Sequence, residues 1–257
     1  MSSASDPIAV RGLTMGFGDF VLMRDLTFDV PRGEVFVIMG GSGSGKSTLL
    51  RHFLGLQEPL AGDVAYYGES FTAAEPEART RMLRRCGVLF QSGALWSSMT
   101  LAENVAVLLE EFTDLGPRDV REVAELKLAL VGLSGFEDYY PSEISGGMQK
   151  RAGLARAMAL DPDILYFDEP SAGLDPVSSA LLDRLILELR DSLGATIVVV
   201  THELNSIFTI GTDSVFLDAE SRTMIARGNP RELRDHATDP TVRRFLHRGL
   251  DPEAGGS

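Results

Sequence analysis

The sequence predicts an α/β domain on a parallel sheet, with a largely helical segment inserted into it. Three observations carry this reading. The runs VFVIM (35–39), ILYF (164–167) and IVVV (197–200) are continuously apolar, as strands covered on both faces are. A glycine-rich loop at 40–45 follows the first run and gives way to a helix-patterned stretch, so the order is strand, loop, helix. The region from about 92 to 157 then reads mostly helical before the α/β alternation returns.

In chain order, the first thirty residues alternate as strands do. Leu26, Phe28 and Val30 fall on one face, Thr27 and Asp29 on the other. A helix is expected over 46–56. Thr100 and Glu103 have capping-box spacing before AVLLEEF. Val120, Val123, Ala124, Leu130 and Val131 follow helical spacing, with Lys127 the one polar residue on that face. Residues 178–193 form an amphipathic helix closed by Gly194, and 214–217 with 223–226 a hairpin. The segment 230–247 reads as a charged helical extension, and 248–257 as a disordered tail. The expected organisation is one domain over 1–247, with the insertion at about 92–157.

Composition narrows the function. The 257 residues carry 24 basic and 37 acidic side chains, a net −13, which disfavours a nucleic-acid surface. Cys86 is the only cysteine, so no intrachain disulfide or cysteine-cluster metal site is available. The start, MSSASDPIAV, lacks the basic and apolar parts of a signal peptide, and no apolar run is long enough to cross a bilayer. Any service to a membrane is expected from its cytoplasmic side, through a partner.

GGSGSGKST (40–48) fits the phosphate-loop pattern at Gly40, Gly45, Lys46 and Ser47, with the required strand before it and helix after it. Glycines at 40, 41, 43 and 45 let main-chain N–H groups curl around phosphate oxygens between Ser42 and Ser44. The helix that follows, opening Lys46-Ser47-Thr48, points its positive end at the same anion. Lys46 would reach the β- and γ-phosphates and the Ser47 hydroxyl would help hold Mg²⁺. Asp168 and Glu169 end the strand ILYF, where α/β sheets bind ligands. Asp168 suits the Mg²⁺ and Glu169 can polarise an attacking water as general base. His202 follows another strand end and Gln91 follows GVLF. Each is ambiguous alone, and each gains a reading beside the phosphate loop, Gln91 as a sensor joining core and insertion.

With these residues in order, the chain resembles an ATP-binding cassette (ABC) ATPase over nearly its whole length. The carriers are 40–48, Gln91, ISGGM (144–148), ILYFDE (164–169), SAGLD (171–175) and His202. The resemblance implies a phosphate-loop NTPase fold: a RecA-like α/β core with an antiparallel β subdomain and a helical subdomain. It implies ATP and Mg²⁺ as ligands, with Ser47, Gln91 and Asp168 on the metal and Glu169, His202 and Gln91 serving hydrolysis. It implies a head-to-tail homodimer in which Ser145, Gly146, Gly147 and Met148 of one subunit face the other's ATP. Ser171 and Asp175 match the loop crossing that interface, and Asp175-Pro176 also reads as a helix cap. Phe17 matches the aromatic that stacks on adenine, against the plain reading of a core strand residue. Phe20 is a weaker candidate nearby.

Finer detail is similar to the ATPases of Mla/MCE-type lipid transport systems, in RHFLGL (51–56), FQSGALW (90–96), SMTLAENVA (98–106), SEISGGMQKR (142–151) and DPTVRRFL (239–246). That likeness implies an integral membrane permease and an MCE-domain lipid-binding protein as partners, at the cytoplasmic face of the inner (plasma) membrane, without nucleic acid. Met148 stands where the usual signature has glutamine, and the phosphate contacts expected there need no side chain at that position. A transporter ATPase with another cargo, or a soluble cassette ATPase of DNA repair or translation, are the competing readings. Val242, Phe245 and Leu246 lie at helical spacing, and Phe245 and Leu246 are expected to dock on a partner.

Overall fold

The computed structural model describes residues 6–248 and resolves two compact units, one of residues up to 74 and from 199 onward, the other Glu75–Val198. The expected disordered tail lies outside the described residues from 249 onward.

The first unit opens with β1 (Ile8–Phe17), β2 (Phe20–Val30), β3 (Val35–Gly40), α1 (Lys46–Phe53), β4 (Ala61–Tyr66) and β5 (Glu69–Ser70). The second holds α2 (Pro76–Leu83), β6 (Cys86–Leu89), α3 (Leu101–Phe112), α4 (Pro117–Leu130), a 3-10 turn at Pro141–Glu143, α5 (Gly146–Ala157), β7 (Ile164–Asp168) and α6 (Pro176–Leu193). Within β8 (Thr196–Val200) the chain passes back to the first unit. There it continues through α7 (Leu204–Ile210), β9 (Asp213–Asp218), β10 (Thr223–Arg227), α8 (Pro230–His236) and α9 (Pro240–Leu246).

In the first unit β2-β1-β4-β5 form an antiparallel sheet, and β3 pairs parallel with β9, which pairs antiparallel with β10. Leu26, Phe28 and Val30 of β2 are buried while Thr27 is exposed, so the alternation reports the true inner face. Every residue of β3 is buried, as its unbroken apolar run requires. α1 is shorter than expected and ends at Phe53. Gly55 takes φ 65, and the N–H groups of Gly55 and Leu56 return to the carbonyls of His52 and Arg51, at 3.2 and 2.9 Å. This left-handed closure uses the helix's last carbonyls and leaves Leu56 exposed.

The charged extension is two short helices, and it corrects one expectation. Val242, Phe245 and Leu246 of α9 are buried in this chain's own core, against Val37, Met39, Ile207 and Phe216. Phe245 and Leu246 therefore present no docking surface to a partner: the apolar stripe already has a cover.

In the second unit β8, β7 and β6 lie in that order, with β6 parallel to β7. This unit contains strands as well as the helices of the expected insertion. Thr100 caps α3 with the reciprocal bonds of a capping box, Glu103 N–H to Thr100 Oγ1 at 3.2 Å and Thr100 N–H to Glu103 Oε2 at 2.7 Å. On α4 the buried face runs through Val120, Ala124, Lys127 and Leu128, whereas Leu130, placed there by spacing, is 49 % exposed. Lys127 tolerates burial because its ammonium is paired with Asp161.

Candidate functional site

The first unit supplies the candidate phosphate loop, 40–48. β3 ends at Gly40, whose φ of 153 leaves no place for a side chain: a Cβ there would meet the Leu217 carbonyl oxygen at 2.3 Å and Ser44 Oγ at 2.6 Å. Gly43 and Gly45 turn left-handed, and α1 then starts at Lys46 with its first N–H groups facing the loop. Lys46 is buried, and its ammonium donates to the carbonyls of Gly40 and Gly41 at 3.0 and 2.9 Å, folded across the loop it serves. The Ser44 hydroxyl is fully buried and finds no hydrogen-bond partner among the described residues. A concave loop of main-chain donors with a lysine and an unpaired buried hydroxyl fits a phosphate chain. Ser42 and Ser47 are exposed, Gly41 and Thr48 partly so.

Phe17 ends β1 opposite Phe20 across the hairpin and is 54 % exposed, which removes the plain reading of a core residue. Phe20 is also exposed and lies under the Arg222 guanidinium, 5.3 Å from its ring centre. His202 follows β8 and is half-exposed, its Nε2 3.8 Å from Glu203.

The second unit holds the remaining candidates. Asp168 is the last residue of β7, and Glu169, just beyond, takes φ 47. A long side chain rarely adopts that left-handed conformation, and such positions gather at functional sites. The Glu169 carbonyl accepts from Ala172 N–H at 3.1 Å, which bends the chain into 171–175. There the buried Ser171 hydroxyl has no partner among the described residues. Asp175 caps α6, accepting from the N–H groups of Val177 and Ser178 at 3.0 Å each and from the Ser178 hydroxyl at 2.6 Å. The Ser178 side chain and main chain together hold this carboxyl below the usual range.

Ser145 is the N-cap of α5, its Oγ accepting from Met148 N–H at 3.3 Å. That bond uses an oxygen lone pair and leaves the hydroxyl proton free to donate outward. Gly146 is exposed and Gly147 half-buried, with open space at Gly146 and Ser178 Oγ 3.1 Å from where a Gly147 Cβ would stand. Met148 is half-buried. The glutamine beside it, Gln149, donates its amide to the Pro141 carbonyl at 2.8 Å and so ties the helix start to the preceding turn.

Sequence reasoning assigned no role to Lys150, which the structure places among these residues. It is 6 % exposed, and its ammonium donates to the main-chain carbonyls of Gln91 and, at 3.4 Å, Glu169. Burial pushes this ammonium below the usual lysine range, while the Glu169 and Asp168 carboxylates pull it back up. The signal was present: Lys150 shares a helix face with Leu154 and Ala157, both buried, and a lysine on an apolar face needs an acceptor. Gln91 itself is exposed, two residues beyond the end of β6.

Downstream of Gln91, Arg156 of α5 donates to the carbonyls of Gly93 and Ala94 at 3.0 and 2.7 Å and lies 5.0 Å from the Trp96 ring centre. Beyond this segment opens a groove of about 590 Å³, lined among others by Phe90, Trp96, Leu108 and Phe112. No group of three or more His, Cys, Asp or Glu side chains among the described residues is placed to hold a metal by itself. No described helix is long and apolar enough to cross a membrane.

A family model described as ABC transporter matches residues 23–172, more than half of the chain. The chain belongs to the ABC transporter family. It is accordingly an ATP-binding ATPase, with the α/β fold of that family. It is 42 % identical over 240 residues to the protein named probable ribonucleotide transport ATP-binding protein mkl of Mycobacterium leprae, a match covering 93 % of this chain and 68 % of that one. The corresponding Mycobacterium tuberculosis protein is matched over 66 % of its length, so the chain spans about two thirds of these relatives. The intermembrane phospholipid transport system ATP-binding protein MlaF of Escherichia coli is 38 % identical over 244 residues, 95 % of this chain and 90 % of that one. Among solved structures, the dimeric post-hydrolysis cassette MJ0796 bound to ADP and Pi superposes with a TM-score of 0.78 at 27 % identity, over 86 % of this chain and 98 % of that one. The cassette cbiO1 of Clostridium perfringens, part of the ABC transporter complex cbiONQ, gives 0.82 at 25 % identity, over 96 % of each.

Proposed function

We propose that this chain is the energy subunit of a transporter that moves phospholipid or another hydrophobic molecule between membranes, acting at the cytoplasmic face of the inner membrane. The observation that carries the cargo is the near full-length match to MlaF. Two copies would pair, as the dimeric state of the cassette it resembles supports; a head-to-tail arrangement would let each lend its 145–148 helix start to the ATP on the other's phosphate loop. A permease and an MCE-domain lipid-binding protein would complete the assembly.

The residues divide the work. The loop 40–48 binds the phosphate chain through its N–H groups and Lys46, and Phe17 packs on the adenine. Ser47, Asp168 and Gln91 would hold Mg²⁺, which neutralises phosphate charge when bound. Glu169 takes the proton of the attacking water, and His202 orients the water and the departing phosphate. Ser145 donates its free hydroxyl proton across the dimer, where the α5 N-terminus adds its positive end. Met148 adds nothing polar and takes nothing away, because its main-chain N–H is already spent on Ser145. Ser171 and Asp175 shape the loop that meets the second subunit. The apolar groove beside Trp96 and Phe112 suits a helix of the permease.

Glu169→Gln tests the hydrolytic part: ATP binding stays and turnover falls by roughly a hundredfold or more, whereas wild-type turnover would remove Glu169 as the base. Cargo is tested by co-reconstituting the chain with its permease and following a labelled phospholipid. A second reading, a ribonucleotide cargo, is favoured by the mycobacterial relatives' name. ATP-dependent uptake of labelled ribonucleotide without phospholipid movement would decide for it.

A further inference from the structure

We infer that Lys150 is a positioning residue for hydrolysis: from the buried side of α5 it fixes the main chain at Gln91 and at Glu169 in one arrangement. The inference rests on Glu169 acting as the hydrolytic base, as proposed above.

A lysine ammonium has three donors and no acceptor. Here it serves two carbonyls, those of Gln91 and Glu169. Both partners are main-chain atoms, so the contact fixes where the chain runs rather than what the side chains are. The Glu169 carbonyl thereby takes two donors, Lys150 Nζ and Ala172 N–H. Together they pin the peptide plane after Glu169 and help to hold its left-handed φ of 47, which sets the direction in which the carboxylate leaves the chain.

The other end of the bridge matters as much. Gln91 opens the segment 91–94, whose next carbonyls, at Gly93 and Ala94, are held by Arg156 of the same helix. Two cations of α5 therefore carry this segment, and Lys150 alone of the two also reaches Glu169. Burying an ammonium in a helix face shared with Leu154 and Ala157 costs stability that an apolar residue of like length would not. Retaining one is intelligible if its task is to join the helix beginning at Ser145, the segment at Gln91 and the base Glu169. Both acceptors lie outside the loop 40–48, so nucleotide capture by that loop is expected to survive the loss of Lys150.

The test uses the full chain with Lys150→Met, which keeps the unbranched length and removes the donors, and Lys150→Gln as a second variant. Steady-state ATP hydrolysis, binding of a fluorescent ATP analogue and thermal melting are measured on the same preparations, with Glu169→Gln alongside. The expected result is a kcat lower by roughly ten- to hundredfold, with nucleotide affinity within about threefold of wild type. Wild-type kcat in either variant overturns the inference. So does a loss of kcat and binding in step, or failure of both variants to fold, since each marks Lys150 as merely structural. If Glu169→Gln hydrolyses ATP normally, the base assignment and this inference fall together. If Glu169→Gln is inactive while Lys150→Met turns over normally, the inference alone falls.

Discussion

The ring of Phe245 meets that of Phe216 edge to face, with centroids 5.1 Å apart and planes at 80°. Phe216 sits in β9, next to β3, so the last described helix seals the strand that leads into the phosphate loop. Phe245→Ala is expected to destabilise the chain by about 3–5 kcal/mol, the usual cost of emptying a buried phenylalanine site. Removal of everything from Asp239 onward strips Val242 and Leu246 as well and costs more. Chemical denaturation of the full chain and both variants checks this. Unchanged midpoints would show that the α9 contact adds nothing to the fold.

Gly40→Ala tests the loop itself. The added methyl would collide with the Leu217 carbonyl and with Ser44 Oγ, at a φ that L-residues avoid. The strain of about 1–3 kcal/mol falls on the geometry of the loop proposed to receive phosphate, and by the usual conversion ATP affinity is expected to drop by roughly five- to a hundredfold. Calorimetric titration with ATP gives the answer directly. Wild-type affinity would mean the loop can bind phosphate in another shape.

Much of this architecture was legible in the sequence because it rests on local signals. The unbroken run of β3, the capping box at Thr100 and the glycine closure at Gly194 are each set by residues within a turn or two. The bends of the loop 40–45 are legible for the same reason, since Gly40, Gly43 and Gly45 take the positive φ values that glycine favours. What escaped depended on distant partners. Spacing put Leu130 on the buried face of α4, but which side of a helix end is covered depends on what packs there, and Leu128 took that place. Phe245 looked like a free apolar stripe because nothing local shows that Phe216 lies beneath it. Lys150 drew no role because its two acceptors, Gln91 and Glu169, are 59 and 19 residues away.

His52 gives the last expectation, a pH dependence of stability. It is 3 % exposed in α1, and its Nδ1 lies 2.8 Å from the Gln57 carbonyl oxygen. A carbonyl only accepts, so Nδ1 carries the hydrogen and Nε2 is left with a lone pair, buried and without a partner among the described residues. Burial holds the imidazole below its ordinary value of 6.5, against smaller upward pulls from the Gln57 carbonyl and from Glu58. The unfolded chain then takes up a proton that the folded chain refuses. The contribution of a neutral His52 is therefore complete above 6.5 and is lost as pH falls from there through the folded value. One proton limits the slope to about 1.4 kcal/mol per pH unit. His52→Gln keeps a donor for the Gln57 carbonyl and cannot titrate, so its unfolding free energy should fall less steeply than wild type between about pH 6.5 and 5. Parallel denaturation curves across that range would place the protonation of His52 outside the folding equilibrium.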